Sequence, residues 1–343
     1  MWSKWIRVWK RMNAGKRLGV YLAADILCIG IGLCVLALFH HVLATGEQIK
    51  VEPDEPAYIP QAVVTAEPDG GEVVPEATPR PAEGTVYAEG DFSALFERMG
   101  FARTGEIVSD ENGYTSDNVR VQMGTFSRGG ANFHIADIYV RNIRCFRTAF
   151  ANDTFGKGQR AMPLKMADAH GAIVAVSGDY YNAREKGYVI RNGKAYRNTP
   201  FKEICVLYRD GVMETLPADA DMKAAWERGI WQTWSFGPAL LNADGSAKTG
   251  FDSEITGRNP RCAIGYMEPG HYCFVVVDGR VEGSHGMTLA ELSQVMEAMG
   301  CKCAYNLDGG ESAAMVYDGA VYSTPADGGR KISDILLITE AGN

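Results

Sequence analysis

Residues 303–315 read CAYNLDGGESAAM, and the rest of the chain is organised around this stretch. An apolar strand runs into a polar elbow, residues 308–312, and then into a second apolar strand. Asn306 and Asp308 are two positions apart, so their side chains face the same side of a strand. The two glycines allow backbone angles that other residues avoid. The pattern predicts either a functional site or an ordinary polar hairpin bend.

A well-marked helix precedes this strand. Thr288, Leu289, Ala290 and Glu291 form the sequence pattern of a capping box. Apolar residues then recur at helical spacing, and Gly300 is placed to end the helix as the residue after its C-cap. Because the helix leads directly into the strand, we expect it to determine where the elbow points.

The region from residue 90 to residue 343 has the patterns of a globular domain. Residues 91–99 predict a short helix with Asp91 as its N-cap, and residues 132–143 alternate imperfectly as in a half-buried strand. The apolar run 172–176 predicts a strand buried on both faces. Several Asn-Gly and Asp-Gly pairs separate strand-like segments, which is the strongest short-range signal of hairpins. We therefore predict an α+β fold of mixed, largely antiparallel sheets with packed helices.

The first 89 residues differ from this domain in composition. Residues 1–17 are basic and rich in tryptophan, and residues 18–43 are apolar over about the length that crosses a bilayer. The basic residues predict an uncleaved signal-anchor with its N-terminus in the cytoplasm and the rest of the chain outside. A cleaved signal peptide is the alternative. Residues 44–89 are rich in proline and glutamate, which predicts a disordered linker.

The overall composition and charge argue against one class of partner. The chain has 343 residues, 46% of them hydrophobic, and a formal net charge of −8. The hydrophobic content suffices for a sizeable core, whereas the acidic balance argues against a nucleic-acid partner. Six cysteines follow residue 90 without a CxxC pair, so a zinc site is weakly supported and disulfides and buried thiols both stay open.

Charged and polar residues near predicted strand ends are candidates for chemistry. Arg258 and Arg261 flank a proline and could form a fork for a phosphate or carboxylate, or could be two solvated arginines. Asp278 follows an apolar strand. His285 precedes the capped helix and could take part in acid–base chemistry, although a loop histidine is more often structural or exposed.

Together these segments resemble the phosphodiester glycosidase family, which includes the lysosomal enzyme that removes N-acetylglucosamine from a phosphodiester on mannose. The resemblance covers roughly residues 90–340 and rests on these blocks, in order: SGDYYN at 177–182, FGPAL at 236–240, RNPRCAIG at 258–265, VDGR at 277–280, GMTLAEL at 286–292, NLDGGES at 306–312 and KISD at 331–334. Two blocks depart from the family's usual sequence. The first block often reads Asn-Gly-Gly in the family where this chain reads Ser-Gly-Asp at residues 177–179, and the family's elbow commonly has a third glycine where this chain has Glu311.

The resemblance implies a hydrolase or glycosidase that acts on sugar phosphodiesters. Such a substrate needs its anionic phosphate held, which suits the two arginines. It also needs a carboxylate that stabilises an oxocarbenium-like centre or activates water. Asp308 is the first choice for this carboxylate, with Asp179 or Glu311 as the second group. The residues expected to bind the substrate or orient the carboxylates are Arg258, Arg261, Asn306, Asn182, Ser312, Asp278 and His285.

We therefore expect a membrane-anchored, extracytoplasmic hydrolase of glycosyl-1-phosphodiester bonds in envelope or secreted glycopolymers. Its partners would be a glycan or sugar-phosphodiester substrate and the membrane, through residues 18–43. Two alternatives are a non-catalytic binder of anionic envelope glycans and an anchored envelope-assembly protein. The sequence requires no cofactor and leaves room for a divalent cation such as calcium at the carboxylates, without a ligand spacing that announces it.

Overall fold

Antiparallel strands make up most of the regular secondary structure that is described. The computed structural model describes residues 48–51 and 90–340. The predicted tail 1–17, the predicted span 18–43 and most of the predicted linker lie outside these residues. Among the helices that are described, none combines the length and the apolar character needed to cross a membrane.

Runs of antiparallel strands are interrupted by a few helices, an arrangement consistent with an α+β fold. The described α-helices are α1 (Ser93–Arg98), α2 (Pro163–Ala169), α3 (Met222–Arg228) and α4 (Leu289–Ala298). The strands are β1 (Ile49–Lys50), β2 (Val108–Asp110), β3 (Gly113–Thr115), β4 (Val119–Arg128), β5 (Ala131–Val140), β6 (Phe146–Phe150), β7 (Thr154–Phe155), β8 (Val174–Ser177), β9 (Gly187–Arg191), β10 (Lys194–Thr199), β11 (Ile204–Tyr208), β12 (Met213–Leu216), β13 (Ile230–Trp234), β14 (Arg261–Glu268), β15 (His271–Val277), β16 (Cys303–Leu307), β17 (Met315–Tyr317), β18 (Ala320–Val321) and β19 (Asp334–Ile338).

Two large sheets form the centre of the domain. One has seven strands in the order β16-β14-β15-β5-β4-β3-β2, and the other has five in the order β18-β17-β8-β19-β6. Every strand pair in both sheets is antiparallel. The prediction of largely antiparallel pairing is therefore confirmed.

Side chains that alternate along each strand divide between two packing layers. On β14, Cys262 and Ile264 join the core shared with the five-stranded sheet, whereas Ala263 joins the core beneath α4. The far face of the five-stranded sheet is covered by α2 through Met166 and Ala167. The order of layers is therefore helix, seven strands, five strands, helix. Strands covered on both faces have mainly apolar residues, as in Val174–Ser177 of β8 and Asp334–Ile338 of β19.

The predicted helix and central strand are confirmed. Thr288 is the N-cap of α4 and forms both hydrogen bonds of the capping box with Glu291, and Gly300 follows the C-cap with φ +77°. All four residues of β8 are buried between neighbours on both sides. The N-cap of α1 is Phe92 rather than the expected Asp91, although the Asp91 carboxylate accepts from the amide of Ser93 at 2.9 Å.

The elbow is not a hairpin. Strand β16, which precedes it, belongs to the seven-stranded sheet, whereas β17, which follows it, belongs to the five-stranded sheet. The chain thus crosses from one sheet to the other at residues 308–312. The interpretation of this stretch as an ordinary hairpin bend is wrong, because the two apolar strands on either side never pair. By contrast, Asn192-Gly193 and Asp318-Gly319 do connect paired strands, β9 to β10 and β17 to β18.

A short part of the predicted linker pairs with the domain. Strand β1 lies antiparallel to β7, and the amide of Val51 donates to the carbonyl of Asp153 at 2.7 Å. The six cysteines that the structure describes are all buried free thiols, and the sulfurs of Cys273 and Cys301 lie 3.7 Å apart.

Candidate active site

A cavity of about 170 Å³ lies where β14 begins and β16 ends. Its wall combines the elbow with three other segments of the chain. The lining residues are Phe236, Ile255, Asn259, Pro260, Arg261, Arg280, Asn306, Leu307, Asp308, Gly309 and Gly310. The cavity therefore brings one carboxylate and two guanidinium groups together.

Asp308 is the carboxylate of this cavity. Its amide donates to the carbonyl of Gly178 at 3.0 Å, which ties the elbow to the end of β8. The residue is 7% exposed, and its buried Oδ2 atom accepts no hydrogen bond from the residues that the structure describes. Arg330 Nη2 lies 3.7 Å from that oxygen. Burial raises the pKa of Asp308 from 3.8 to about 6, although Ser312 and Arg330 oppose the rise.

Asn306 presents a second unsatisfied oxygen. Its Nδ2 atom donates to the carbonyl of Gly237 at 2.8 Å, which fixes the orientation of the amide. Its Oδ1 atom is buried and has no hydrogen-bond partner in the described part of the chain. Buried acceptors without partners are uncommon in folded proteins and usually mark a site that a ligand or water completes. Asn306 and Asp308 line the same cavity, as their spacing on the strand predicts.

The two glycines of the elbow allow its close approach to the loop before β14. A Cβ atom on Gly309 would lie 2.7 Å from the carbonyl oxygen of Pro260, closer than real contacts allow. The amide of Gly310 donates to that same oxygen at 3.0 Å, and Gly310 has φ +62°, a conformation that favours glycine. The elbow is therefore held against the loop by its backbone.

Arg261, the first residue of β14, is 2% exposed. Its Nε atom donates to the carbonyl of Met287 at 3.0 Å, and its Nη2 atom donates to the carbonyls of Ile255 and Gly257. Burial and, to a lesser extent, the charge of Arg280 lower the pKa of Arg261 to about 10. Arg261 thus adds positive charge to the cavity wall while most of its hydrogen bonds go to the backbone.

Arg280 is the more exposed of the two arginines that line the cavity. Its Nη2 atom donates to Oδ1 of Asn259 at 2.6 Å, and its backbone has φ +57°. The left-handed conformation is uncommon for a residue with a side chain and tends to occur at functional sites. Arg280 lies in the family block at residues 277–280, although no sequence pattern predicts a role for it.

Arg258 points elsewhere. Its Nη1 atom donates to the carbonyl of Gly286 at 2.9 Å, and its Nη2 atom donates to the carboxylate of Glu291. Arg258 therefore pairs with the capping box of α4 and is not among the described residues that line the cavity. The expected fork of Arg258 and Arg261 is not formed, because the two side chains bind different groups.

Asp179 lies in a buried ion-pair network. Its Oδ1 atom accepts from the amide of Ser235 at 3.0 Å and from Arg184 at 3.1 Å, and its Oδ2 atom accepts from Arg191 at 3.3 Å. Arg191 also binds Asp334 of β19 at 2.9 Å. Burial raises the pKa of Asp179 even though both arginines lower it. Among described residues, Asp179 is not part of the cavity wall, and its oxygens are already satisfied.

The remaining predicted residues of the elbow and of the first block are not among the described residues that line the cavity. Glu311 is exposed and does not line the cavity. Ser312 is buried, and its hydroxyl accepts from Nε of Arg330 at 2.7 Å. Asn182 donates to the carbonyl of Gln159 at 2.9 Å and keeps a buried Oδ1 atom with no partner in the described residues.

Asp278 and His285 also lie outside the cavity wall. Asp278 is buried, and its carboxylate accepts from the amide of Thr324 and lies within hydrogen-bonding distance of Nε2 of His134, both at 2.9 Å. His285 is exposed, and its amide donates to the carbonyl of Gly130 at 3.0 Å. Asp278 thus ties the loop that carries Arg280 to the rest of the fold.

Arg330 lies beside Asp308, with Nη2 3.7 Å from the Asp308 carboxylate, although no sequence pattern predicts a role for it. The one sequence feature that could have pointed to Arg330 is its position just before the KISD block at residues 331–334.

Within residues 48–51 and 90–340, no three His, Cys, Asp or Glu side chains are grouped so that they could hold a metal ion.

Comparison with known proteins relates this geometry to a family. The model of the phosphodiester glycosidase family matches residues 170–339. The prophage-derived uncharacterized protein YomE of Bacillus subtilis is 29% identical in an alignment of 198 residues that covers 54% of this chain and 30% of that protein. The chain therefore spans less than a third of the length of this curated relative.

Two solved structures are similar in fold. The catalytic domain of zebrafish N-acetylglucosamine-1-phosphodiester alpha-N-acetylglucosaminidase, auto-inhibited by its pro-peptide, is 19% identical with a TM-score of 0.52; the match covers 70% of this chain and 87% of that one. A hypothetical protein from Synechocystis is 14% identical with the same TM-score of 0.52, over 69% of this chain and 64% of that one. Because the family's model matches the residues that include the elbow and the cavity, this part of the chain belongs to the phosphodiester glycosidase family.

Proposed function

We propose that this protein hydrolyses glycosyl-1-phosphodiester bonds, such as N-acetylglucosamine-1-phosphodiesters, in envelope or secreted glycopolymers. The observation that carries the proposal is the buried carboxylate of Asp308, which has an unpartnered oxygen and lines a cavity shared with Arg261 and Arg280. A glycosyl phosphodiester presents one anionic phosphate next to one reactive sugar carbon. The cavity offers a group for each. Membership of the family supports the same reaction class.

The arginines would hold the phosphate. Arg280 is exposed at the cavity and has a guanidinium group that can donate to phosphate oxygens. Arg261 is committed mainly to backbone carbonyls, so its contribution is positive charge in a partly buried wall. Arg330, beside Asp308, adds a third charge at the edge of the site. Positive charge at this point stabilises the phosphate as it becomes a leaving group.

Asp308 would take up the proton of the attacking water. Water adds to the sugar C1 carbon, the bond between C1 and the phosphate oxygen breaks, and the phosphomonoester leaves with the bonding electrons. The proton passes to the Asp308 carboxylate and then to solvent. A phosphomonoester is a fair leaving group without protonation, so one carboxylate at the cavity suffices for this route. Asn306 Oδ1 is placed to accept from the water or from a sugar hydroxyl.

The pKa of Asp308 gives the expected pH dependence. The base must be ionised, so kcat/KM should rise with pH through about 6, the raised pKa of this carboxyl. A pH–rate profile measures this. A profile that is flat between pH 5 and pH 8 would contradict the role of Asp308 as base.

We also propose that the chain is anchored in the membrane through residues 18–43, with the domain outside the cytoplasm. The basic residues before the apolar segment and the proline-rich linker after it support this arrangement. Protease treatment of intact cells tests it, since an external domain would be cleaved and a cytoplasmic one protected.

Release of sugar from an N-acetylglucosamine-1-phosphodiester tests the reaction. The wild-type protein should release free sugar and a phosphomonoester, and Asp308→Asn should release neither at a measurable rate. Asp252→Asn, which changes an exposed carboxylate, is the matched control and should keep full activity. If the wild-type protein binds the compound without turnover, the alternative of a non-catalytic glycan binder is favoured.

A further inference from the structure

One arginine lies near two phenylalanine rings, one of which lines the cavity. Phe236 lines the cavity and is half-buried, whereas Phe201 is 36% exposed. The guanidinium carbon of Arg184 lies 5.7 Å from the centre of the Phe236 ring and 5.6 Å from the centre of the Phe201 ring. We call Phe201, Arg184 and Phe236 the aromatic platform.

The platform is held firmly in place. Arg184 donates to the carbonyl of Ser235 at 2.7 Å and to the carbonyl of Asp179 at 2.6 Å, which leaves its guanidinium little freedom. Interactions of cations with aromatic faces at this range are attractive. The arginine thus joins the two rings through the same buried network that contains Asp179.

The loop that carries Phe201 is also tied to the strand of the active site. The carbonyl of Glu203 accepts from the hydroxyl of Tyr305 at 2.9 Å, and its carboxylate accepts from the amide of Ala239 at 2.7 Å. Tyr305 precedes Asn306 on β16. The loop is therefore anchored to the strand of the active site at Glu203, two residues after Phe201, and such anchoring favours a preformed binding site.

We propose that the aromatic platform is a second carbohydrate subsite, which takes the sugar unit next to the linkage that is cleaved. A pyranose ring presents C–H groups that pack favourably against the negative face of an aromatic ring. Phe201 is 36% exposed, so part of its ring is accessible to a bound sugar. Lys202, which is exposed and lies 5.6 Å from the centre of the Phe201 ring, can donate to hydroxyl groups of the bound sugar.

This subsite implies that the substrate is a glycan chain rather than a single sugar phosphodiester. The subsite proposal rests on the proposed function, because the cavity is taken to hold the phosphodiester.

Three probes distinguish the subsite proposal from the proposed phosphodiester hydrolysis. The short probe is N-acetylglucosamine 1-(methyl phosphate). The long probe is N-acetylglucosamine 1-phosphate esterified to O6 of mannobiose, and the third probe is mannobiose alone.

Binding is measured by titration calorimetry on the full chain carrying Asp308→Asn, so that turnover does not interfere. The long probe should bind about tenfold more tightly than the short probe, as expected of one added ring contact. Adding Phe201→Ala should remove this advantage and leave the affinity for the short probe within about twofold. Phe201→Trp, which keeps an aromatic face, should retain the advantage.

Each result decides the proposal. An unchanged affinity of Phe201→Ala for the long probe, or an equal loss for both phosphate probes, would overturn it. Equal urea midpoints for all variants exclude unfolding as the cause. Loss of mannobiose binding in Phe201→Ala, with no binding of the short probe to any form, would support the subsite while rejecting the phosphodiester substrate. If none of the three probes binds, the subsite is rejected as well.

Discussion

Asp308→Asn should stabilise the folded protein at alkaline pH. The carboxyl group is 7% exposed, and burial raises its pKa from 3.8 to about 6. A difference of about two pKa units corresponds to about 3 kcal/mol between the folded and unfolded states. Asparagine has nearly the same shape and carries no charge, so it removes this cost of burying the carboxylate.

The sign follows from the order of the two pKa values. The folded-state pKa of Asp308 is above the unfolded-state value, so the folded protein binds the proton more tightly. The stabilisation that the protonated carboxyl contributes to the folded state is fully present below its ordinary pKa of 3.8, and it is lost as pH rises through about 6. The variant should therefore exceed the wild-type free energy of unfolding by about 3 kcal/mol at pH 8 and by less than about 1 kcal/mol at pH 4.

Urea denaturation followed by tryptophan fluorescence measures both values, since Trp231 and Trp234 are buried reporters. Asp252→Asn is the control, and we expect it to leave the free energy of unfolding unchanged at either pH because this residue is exposed. No gain of Asp308→Asn at pH 8 would refute the reasoning that burial destabilises this carboxylate. An equal gain at both pH values would show that ionisation is not the cause.

Three further predictions concern the charged groups. Arg280→Gln should raise KM for the sugar phosphodiester at least about tenfold, because the Arg280 guanidinium lines the cavity. Arg258→Gln should change KM by less than about twofold, because Arg258 pairs with Glu291 instead. Equal effects of the two substitutions in steady-state kinetics would contradict this distinction. Asp179→Ala should lower the free energy of unfolding by about 3–5 kcal/mol, because it leaves the buried Arg191 with one partner fewer, and a loss below about 1 kcal/mol in urea denaturation would refute a structural role. Treatment with EDTA should leave sugar release unchanged, since the described residues contain no cluster of three ligands; restoration of lost activity by calcium would instead reveal a metal requirement.

Local patterns predicted the elements that depend on a few neighbouring residues. The capping box of α4 is satisfied within four positions of the chain, so its sequence pattern is nearly sufficient for its structure. The continuous apolar run became β8 because a strand covered on both faces needs no polar side chains. Asn306 and Asp308 line one cavity, as expected from the repeat of two in a strand.

Predictions that depended on where side chains meet were less successful. Arg258 and Arg261 are close in sequence, but one pairs with α4 and the other with loop carbonyls. Asp179 was grouped with Asp308 as a candidate catalytic carboxylate, whereas its oxygens bind two arginines and a backbone amide. Spacing along the chain carries little information about such contacts, because they depend on how loops pack.

Sequence patterns are sufficient to predict the α+β class, the antiparallel pairing of strands and the capped helix. They also predict that the side chains of Asn306 and Asp308 lie on the same side of one strand. These features follow from local periodicity and backbone conformation. Two features follow from tertiary packing and from no local pattern: the elbow crosses between two sheets, and Arg280 and Arg330 lie near Asp308. The two arginines belong to loops that are separate from the elbow in sequence, and these loops meet it only when the two sheets pack together. That packing also buries Asp308 and raises its pKa.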